Sequence, residues 1–386
     1  MPLTKLQFKP GINRDVTSYS NEGGWVDSDK VRFRLGFPEK IGGWVKYSSN
    51  TFLGSCRALH TWVTLAGTQY LGLGTNLKYY LEIGQSFSDI TPIRKTSTDS
   101  ITFAATDGSS TLAVTDSSNG VVVGDFVTFS GAATLGGLIT ATVLNQEYQV
   151  SGVTSANVYS VVAKDTDGVA VTANSSDSGN GGSGVDGLYQ INVGLDTEVG
   201  GTGWGAGTWG RSTWGSGTDI STTTELRIWS HDNFGEDLLI NPRDGGVYYW
   251  DASATNAFTT RAVEISTLTG ASDTPTVAKQ IMVADNSRHV IAFGTNTLGT
   301  TVQDSLLIRF SDQESFLDWT PKATNSAGDL RIGSGSNFVR AIETKREILI
   351  WTNSSLQTMQ YLGPPFVYGI QPLASNITIM GANAVA

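Results

Sequence analysis

Three histidines are the side chains in this 386-residue sequence best suited to acid–base or metal chemistry: His60, His231 and His289. Metal sites built on one element place their histidines a few residues apart, as in HxH and HExxH patterns. These three lie far apart in the chain, and neither spacing occurs. His60 and His289 lie inside apolar strands, where a histidine more often packs and hydrogen-bonds than binds a metal. The histidines therefore predict no metal site.

Serine, aspartate and glycine are abundant, but their spacing does not suit nucleophilic or phosphate chemistry. No Gly-x-Ser-x-Gly elbow lies between a strand and a helix, and no Gly-x-x-x-x-Gly-Lys loop occurs. Asp165 and Asp167 alternate before Gly168, yet the rest of an EF-hand loop is missing, so an ordinary turn is predicted. The single cysteine, Cys56, excludes an internal disulfide and is predicted to be a small buried hydrophobe. We therefore expect neither catalysis nor a bound cofactor.

One segment does point toward an enzyme. Residues 311–319 carry Ser, Asp and Trp in the order of the Asp-box turn of sialidase-like propellers, but the glycine is missing and the tryptophan falls late. In those proteins the turn lies far from the active site, so a true match would report architecture. A sialidase-like site also needs an arginine cluster, for which the sequence offers Arg227, Arg309 and Arg340. A carbohydrate-binding or sialidase-like propeller on a virion or cell surface is therefore the alternative function.

The composition indicates an all-β protein. The chain has 45 glycines, only four methionines and 16% charged residues. Its Thr, Val and aromatic residues fall in short runs between glycine-rich turns, which is typical of strands. No long run follows a helical period, and no apolar stretch reaches the roughly 18 residues of a membrane span. The N-terminus has no continuous apolar core and is not predicted to be a signal peptide.

Four repeating units predict a β-propeller. Each offers four strands in up-and-down order, and radial stacking of such sheets buries faces that one sheet cannot bury alone. The four central strand pairs are predicted at 70–73 with 77–81, 238–240 with 247–250, 289–293 with 306–310, and 347–351 with 356–361. The third unit is expected to lead out at Asp318–Pro321. The sequence stops in what looks like the middle of an element, so we expect either closure by the N-terminal segment or a portion of a longer protein.

Residues 95–200 interrupt the repeat. Between 95 and 199 there are eleven acidic and two basic side chains, and short apolar runs alternate with turn signals. We predict a small inserted β-barrel or sandwich here, ending in a flexible tract at 174–184. The other predicted parts are an N-terminal arm with edge strands at 1–50, a first propeller part at 51–94, and a Gly/Trp-rich loop with the remaining blades at 201–386.

A glycine-rich run at 203–215 carries Trp204, Trp209 and Trp214 at a five-residue spacing. This period matches neither a helix face nor a strand face. Glycine lets the backbone turn sharply, while each indole supplies a large apolar surface with one N–H donor. Such a segment cannot bury itself. It therefore either folds back over its own domain or anchors a neighbouring subunit.

Residues 22–44 contain two Gly-Gly-Trp elements, ending at Trp25 and Trp44, around an alternating strand with Arg32 and Arg34 on one face. This segment resembles the opening of tail proteins of short-tailed (podovirus-type) bacteriophages, of the tail nozzle or packaged-DNA-stabilisation type. The Asp-Ile-Thr-Pro sequence at 89–92 and the Gly/Trp run are also similar to that family. The resemblance covers residues 1–94 and 200–386.

The resemblance implies a structural virion protein, a propeller subunit that assembles as a ring of about six copies. The ring would lie beneath the portal and adaptor proteins and form the distal tail channel, which retains packaged DNA and passes it during ejection. Tail fibres or spikes would contact its periphery. The resemblance also implies a location in the virion tail after synthesis in the host cytoplasm. A capsid decoration protein or another β-structural subunit is a further alternative.

Large aromatic residues and arginine carry most of the energy of protein interfaces where they are desolvated. On that basis the interface candidates are Trp25, Arg32, Arg34, Trp44, Trp204, Trp209 and Trp214. The alternative is that the Gly-Gly-Trp pairs close an edge of their own subunit. The net charge of −10 repels nucleic acid, which argues against sequence-specific DNA binding and is compatible with a conduit through which DNA slides.

Overall fold

The computed structural model describes residues 9–17, 19–43, 45–194, 226 and 228–385. The chain divides into two compact units, residues 1–50 and 51–386. In the described residues the one α-helix, Ala141–Leu144, is a single turn, and the 3-10 turns at Ala257–Thr259 and Ile265–Thr267 are equally short. No described helix has the length and apolar character needed to cross a membrane. The prediction of an all-β protein is confirmed.

The described part of the N-terminal unit contains one hairpin, and the second unit begins with a four-stranded sheet. The hairpin strands are β1 (Val31–Arg34) and β2 (Phe37–Lys40). Sheet 1 consists of β3 (Cys56–Val63), β4 (Gln69–Thr75), β5 (Tyr79–Ile83) and β6 (Ser86–Asp89), each paired antiparallel with the next. Cys56, predicted to be buried, is exposed, because it opens β3 before the strand reaches the covered part of the sheet.

The inserted domain is an eight-stranded antiparallel sheet. Its strands are β7 (Ile93–Ser97), β8 (Thr102–Ala105), β9 (Thr111–Thr115), β10 (Phe126–Ser130), β11 (Glu147–Ser155), β12 (Val158–Val162), β13 (Asp177–Asn180) and β14 (Asp186–Gln190). The first half of β11 pairs with β10 and its second half with β12. The sheet therefore turns at β11 around a single core that includes Phe103, Phe129 and Tyr159.

One prediction for the inserted domain is wrong. The tract 174–184, predicted to be flexible, contains β13, which pairs antiparallel with β8. The side chains of this tract are polar, so they give no apolar alternation. Its backbone nevertheless hydrogen-bonds along the edge of the sheet.

Three further four-stranded antiparallel sheets complete the second unit. Sheet 2 consists of β15 (Trp229–Phe234), β16 (Asp237–Pro242), β17 (Tyr248–Trp250) and β18 (Val263–Glu264). Sheet 3 consists of β19 (Gln280–Val283), β20 (Val290–Phe293), β21 (Leu307–Phe310) and β22 (Gly328–Arg331). Sheet 4 consists of β23 (Phe338–Glu343), β24 (Ile348–Thr352), β25 (Ser355–Tyr361) and β26 (Tyr368–Ser375).

The predicted central pairs correspond to the second and third strands of the four sheets. The predicted exit of the third unit at Asp318–Pro321 is wrong, since its fourth strand is β22. Trp319 is instead fully buried in the loop before β22. Its backbone N–H donates to Ser272 and its indole N–H to Phe316, so the loop holds the tryptophan as part of the core.

Successive sheets pack against one another. One apolar core joins sheets 1 and 2, a second joins sheets 2 and 3, and a third joins sheets 3 and 4. Between sheets 2 and 3, polar side chains of β15 also accept hydrogen bonds from the backbone of β19. Ser230 accepts a hydrogen bond from the N–H of Ile281 at 3.0 Å, and Asp232 accepts one from Val283 at 2.9 Å. Closure of sheet 4 onto sheet 1, which a propeller requires, stays a prediction.

A cluster of charges fastens the inserted domain to sheets 1 and 2. Lys78 Nζ lies 2.6 Å from Asp89 Oδ2 and 2.6 Å from each carboxylate oxygen of Glu147 on β11. Arg261, between β17 and β18, brings Nη1 to 3.1 Å from Asp89 Oδ1. Gln190 on β14 donates to Glu147 Oε1 at 2.6 Å. The inserted domain is therefore attached through bonded side chains as well as through its two chain connections.

Candidate assembly surface

The hairpin of the N-terminal unit presents two different faces. Its register places Arg32 opposite Glu39 and Arg34 opposite Phe37. Val31 and Phe33 are half-covered, while the two arginines are exposed. Alternation along a strand sends successive side chains to opposite faces, so both arginines share one face. The predicted cationic face of this strand is therefore present.

Trp25 packs inside its own unit. Its ring lies 6.1 Å from that of Phe33, and its carbonyl oxygen accepts a hydrogen bond from the N–H of Asn13 at 2.9 Å. Ile12 forms an isolated parallel bridge with Trp25, and the side chain of the buried Asn21 donates to Asn13. The position of Trp25 thus matches the alternative in which a Gly-Gly-Trp element closes part of its own subunit.

The two arginines differ in their partners. Arg32 Nε lies 3.1 Å from Glu39 Oε2, an exposed pair of the kind worth about 0–1 kcal/mol. Arg34 makes no ion pair or hydrogen bond with any described residue. An exposed guanidinium has five N–H donors in a fork that suits a carboxylate. Arg34 is therefore the better placed of the two to bind another molecule.

The described part of the N-terminal unit has no hydrophobic core. Within residues 9–17, 19–43 and 45–50, Asn21 is the sole buried residue. Nine large apolar side chains of these ranges are exposed: Ile12, Val16, Tyr19, Val26, Leu35, Phe37, Ile41, Val45 and Tyr47. These exposed apolar side chains make the described part of this unit the candidate assembly surface. Sequence reasoning missed Leu35 and Phe37, although their position beside Gly36, at the turn of an alternating strand, is a usable signal.

Four candidate residues cannot be placed. Trp44, Trp204, Trp209 and Trp214 lie outside the residues that the structure describes.

The fold brings two of the distant histidines together. The rings of His60 on β3 and His231 on β15 have centroids 4.9 Å apart. His60 Nε2 lies 2.6 Å from Asn233 Oδ1, and His231 Nδ1 lies 3.0 Å from the hydroxyl of Tyr79. Burial and, to a lesser extent, the nearby His60 together lower the pKa of His231 to about 3. The pair therefore belongs to the junction between sheets 1 and 2, where His231 is neutral.

The remaining candidates for chemistry have structural partners. His289 is buried, with Nε2 at 3.0 Å from the hydroxyl of Ser326, and burial lowers its pKa. Asp165 accepts hydrogen bonds from the N–H groups of Asp167 and Val169, which closes a turn. Within the described ranges, no group of three or more His, Cys, Asp or Glu side chains is arranged to hold a metal ion.

The arginines considered for a sialidase-like site have separate surroundings. Arg309 on β21 is buried and donates through Nη2 to the carbonyl oxygens of Asp273 and Trp319. Arg340 lies on β23, and its pKa is lowered by burial and by the charge of Arg243. Arg227 lies outside the described residues.

No family model matches this chain, and no curated protein matches it. Among solved structures, the chain is similar to one titled "Phage phi92 endosialidase", with 13% sequence identity and a TM-score of 0.23. The match covers 84% of this chain and 44% of that chain, so the protein spans less than half of the other chain's length. A similarity this low carries no inference about function.

Proposed function

We propose that this protein is a structural subunit that assembles through its N-terminal unit into a ring, the distal channel of a short phage tail. The proposal rests on one observation. The described residues of the N-terminal unit expose nine large apolar side chains and bury none. Units of about 60 residues are already marginal with a full core. The described residues of this unit form no such core, so in this proposal the unit is stabilised by the neighbouring subunit that it binds.

The second unit supplies the rigid body that such a ring requires. Its four sheets share apolar cores pairwise, and polar side chains bond one sheet to the next. Lys78, Glu147 and Arg261 attach the inserted domain to the same body. Domains without such contacts are expected to move relative to each other. Here the bonded side chains favour a subunit in which the inserted domain is held in a fixed position.

The phage tail assignment rests on the sequence resemblance at 22–44, 89–92 and 203–215. The charge of the chain is compatible with it. A net negative charge repels the phosphates of DNA, so in this proposal DNA passes through the ring without being held by it. In this proposal the portal and adaptor proteins lie above the ring, and tail fibres or spikes contact its periphery.

Quantitative mass spectrometry of purified virions tests the proposal by counting this chain against the portal subunit. We expect a count near half of the portal count, which corresponds to a ring of about six copies. A count in the hundreds would indicate a shell protein. Absence from the particle would contradict the proposal and favour the carbohydrate-binding alternative, which glycan-array binding by the purified chain would then test.

A further inference from the structure

The tip of the β1–β2 hairpin has an unusual residue in its turn. The two turn residues, Leu35 and Gly36, both have positive φ, 51° and 85°. Two-residue turns with positive φ at both positions match the twist of a hairpin, and Asn-Gly is the favoured pair because Asn and Gly tolerate this region. Leucine does not, since its Cβ crowds the following carbonyl oxygen. Asparagine at position 35 would therefore adopt this turn with less backbone strain than leucine does.

Nothing within the hairpin offsets this strain. The side chain of Leu35 is 92% exposed, and that of Phe37, two residues later, is 75% exposed. The hairpin thus holds two large apolar side chains in water at its outermost point. Residues kept in strained conformations concentrate at functional sites, where the surrounding interaction makes use of them. The strain and the exposure together make the tip a candidate contact surface.

The charge around the tip defines the kind of surface that it meets. Arg34 lies directly opposite Phe37 in the hairpin register and has no partner among the described residues. Residues 1–50 carry eight basic and five acidic side chains, a charge of +3 within a total of −10, so residues 51–386 carry −13. Of that negative charge, −9 falls on residues 95–199, which have eleven acidic and two basic side chains.

The inserted domain also exposes apolar side chains of its own. They are Val122, Val123, Leu138, Val153, Val169 and Leu188. Exposed carboxylates of the same domain include Asp99, Asp107 and Asp167. The domain therefore exposes both carboxylates and apolar side chains, and both kinds of group are complementary to an apolar tip flanked by arginine.

We propose that the hairpin tip, defined as Leu35, Gly36 and Phe37, docks on the inserted domain of a second copy of this chain. The inference rests on the proposed ring and names the contact that builds it. A contact between two different surfaces is heterologous, and its repetition closes a ring or extends a helical filament. Each copy has one tip and one inserted domain, so every subunit binds two neighbours.

A pair of matched substitutions in the full-length chain tests the role of the tip. Leu35→Asn removes the apolar side chain while giving the turn a residue that favours positive φ. Leu65→Asn makes the same change at a 97% exposed position in the turn between β3 and β4. We expect Leu35→Asn to weaken self-association by roughly tenfold or more in sedimentation velocity, and Leu65→Asn to leave it unchanged. Protection of the β1 and β2 amides from hydrogen exchange verifies that the hairpin remains folded.

Photo-crosslinking identifies the surface that the tip meets. A benzoylphenylalanine replaces Phe37, and copies with normal and heavy nitrogen are mixed before irradiation. We expect crosslinks from one isotopic form to peptides of residues 95–194 in the other. Crosslinks confined to one copy, or to other parts of a second copy, overturn the inference, as does normal assembly of Leu35→Asn. In those cases a ring that still forms leaves the proposed function standing, whereas a monomeric wild-type chain contradicts both.

Discussion

The side-chain amide of Gln280 forms two hydrogen bonds with the backbone of Ala341. Its Nε2 donates to the carbonyl oxygen at 2.8 Å, and its Oε1 accepts from the N–H at 2.9 Å. Gln280 lies on β19 and Ala341 on β23, and both residues are buried. Gln280 therefore joins sheets 3 and 4 through backbone hydrogen bonds. Ser230 and Asp232 join sheets 2 and 3 in the same way.

Gln280→Met should destabilise the second unit by about 2–4 kcal/mol, because it leaves a buried N–H and a buried carbonyl oxygen without partners. Gln149→Met is the matched control, since Gln149 is exposed on β11 and should change stability by less than about 0.5 kcal/mol. Urea unfolding measures both variants, and hydrogen exchange should show faster exchange at the amide of Ala341. Equal stability of the two variants would mean that the junction does not support the fold.

Lys78→Met should cost about 2–4 kcal/mol, because it removes the buried cation between Asp89 and Glu147 and leaves Arg261 as their remaining ion-pair partner. Lys78 is only 3% exposed and contacts both Asp89 and Glu147. Lys322→Met removes an exposed partner of Asp318 and should cost about 0–1 kcal/mol. Limited proteolysis should also cut the connections of the inserted domain faster in Lys78→Met than in Lys322→Met. Similar losses in the two variants would show that the cluster does not anchor the domain.

The stability of the second unit should fall in mild acid because of His231. Burial and the neighbouring His60 lower its pKa from 6.5 to about 3. A histidine with a lowered pKa in the folded state contributes its stability above the unfolded pKa. That contribution declines as pH falls below 6.5 towards 3, because the unfolded chain binds the proton and the folded chain does not. At pH 5 the loss from this group is roughly 2 kcal/mol.

Comparison of wild type with His231→Gln isolates this effect from the titration of other groups. Urea midpoints measured at several pH values between 7.5 and 5 should fall more steeply for wild type than for the variant. Parallel pH profiles of the two proteins would mean that His231 is not held neutral.

Trp209→Ala should weaken assembly while leaving the melting temperature of the dissociated subunit nearly unchanged. An interface tryptophan typically contributes about 2 kcal/mol or more to association. Trp250→Ala is the contrasting variant, because Trp250 is buried within the core of sheets 1 and 2 and its truncation should cost about 3–5 kcal/mol of stability. Sedimentation velocity and thermal unfolding separate the two effects. Equal loss of assembly and of subunit stability in Trp209→Ala would place the Gly/Trp run in the subunit core.

The parts of the fold that could be predicted from the sequence are those that depend on local pattern. The pair β16 and β17 is an example, since two apolar runs flank a turn containing Asp244 and Gly245, and the hairpin follows from neighbours in the chain. The strand β13 could not be predicted, because its polar side chains hide a pairing with β8, far away in the sequence. The fourth strand of the third unit could not be located from Trp319, because residue type alone does not distinguish a tryptophan buried in a loop from one in a strand.

The charge of the candidate surface could be predicted from the sequence. The packing of its side chains could not. Alternation alone indicated that Arg32 and Arg34 share a face, and the hairpin shows that arrangement. The packing of Trp25 on Phe33 depends on how the segment before the hairpin folds back, which residue order does not reveal. The junction of His60 with His231 arises only when sheets 1 and 2 stack. The positive φ of Leu35 could not be predicted from the sequence either, because leucine rarely adopts such backbone angles.

Native mass spectrometry of the purified full-length chain, over a range of concentrations, shows whether the subunit forms a ring. We expect a species of about six copies of the 41.0 kDa chain, which dissociates when Leu35 is replaced by asparagine. A single species of 41.0 kDa at every concentration would contradict the proposed ring.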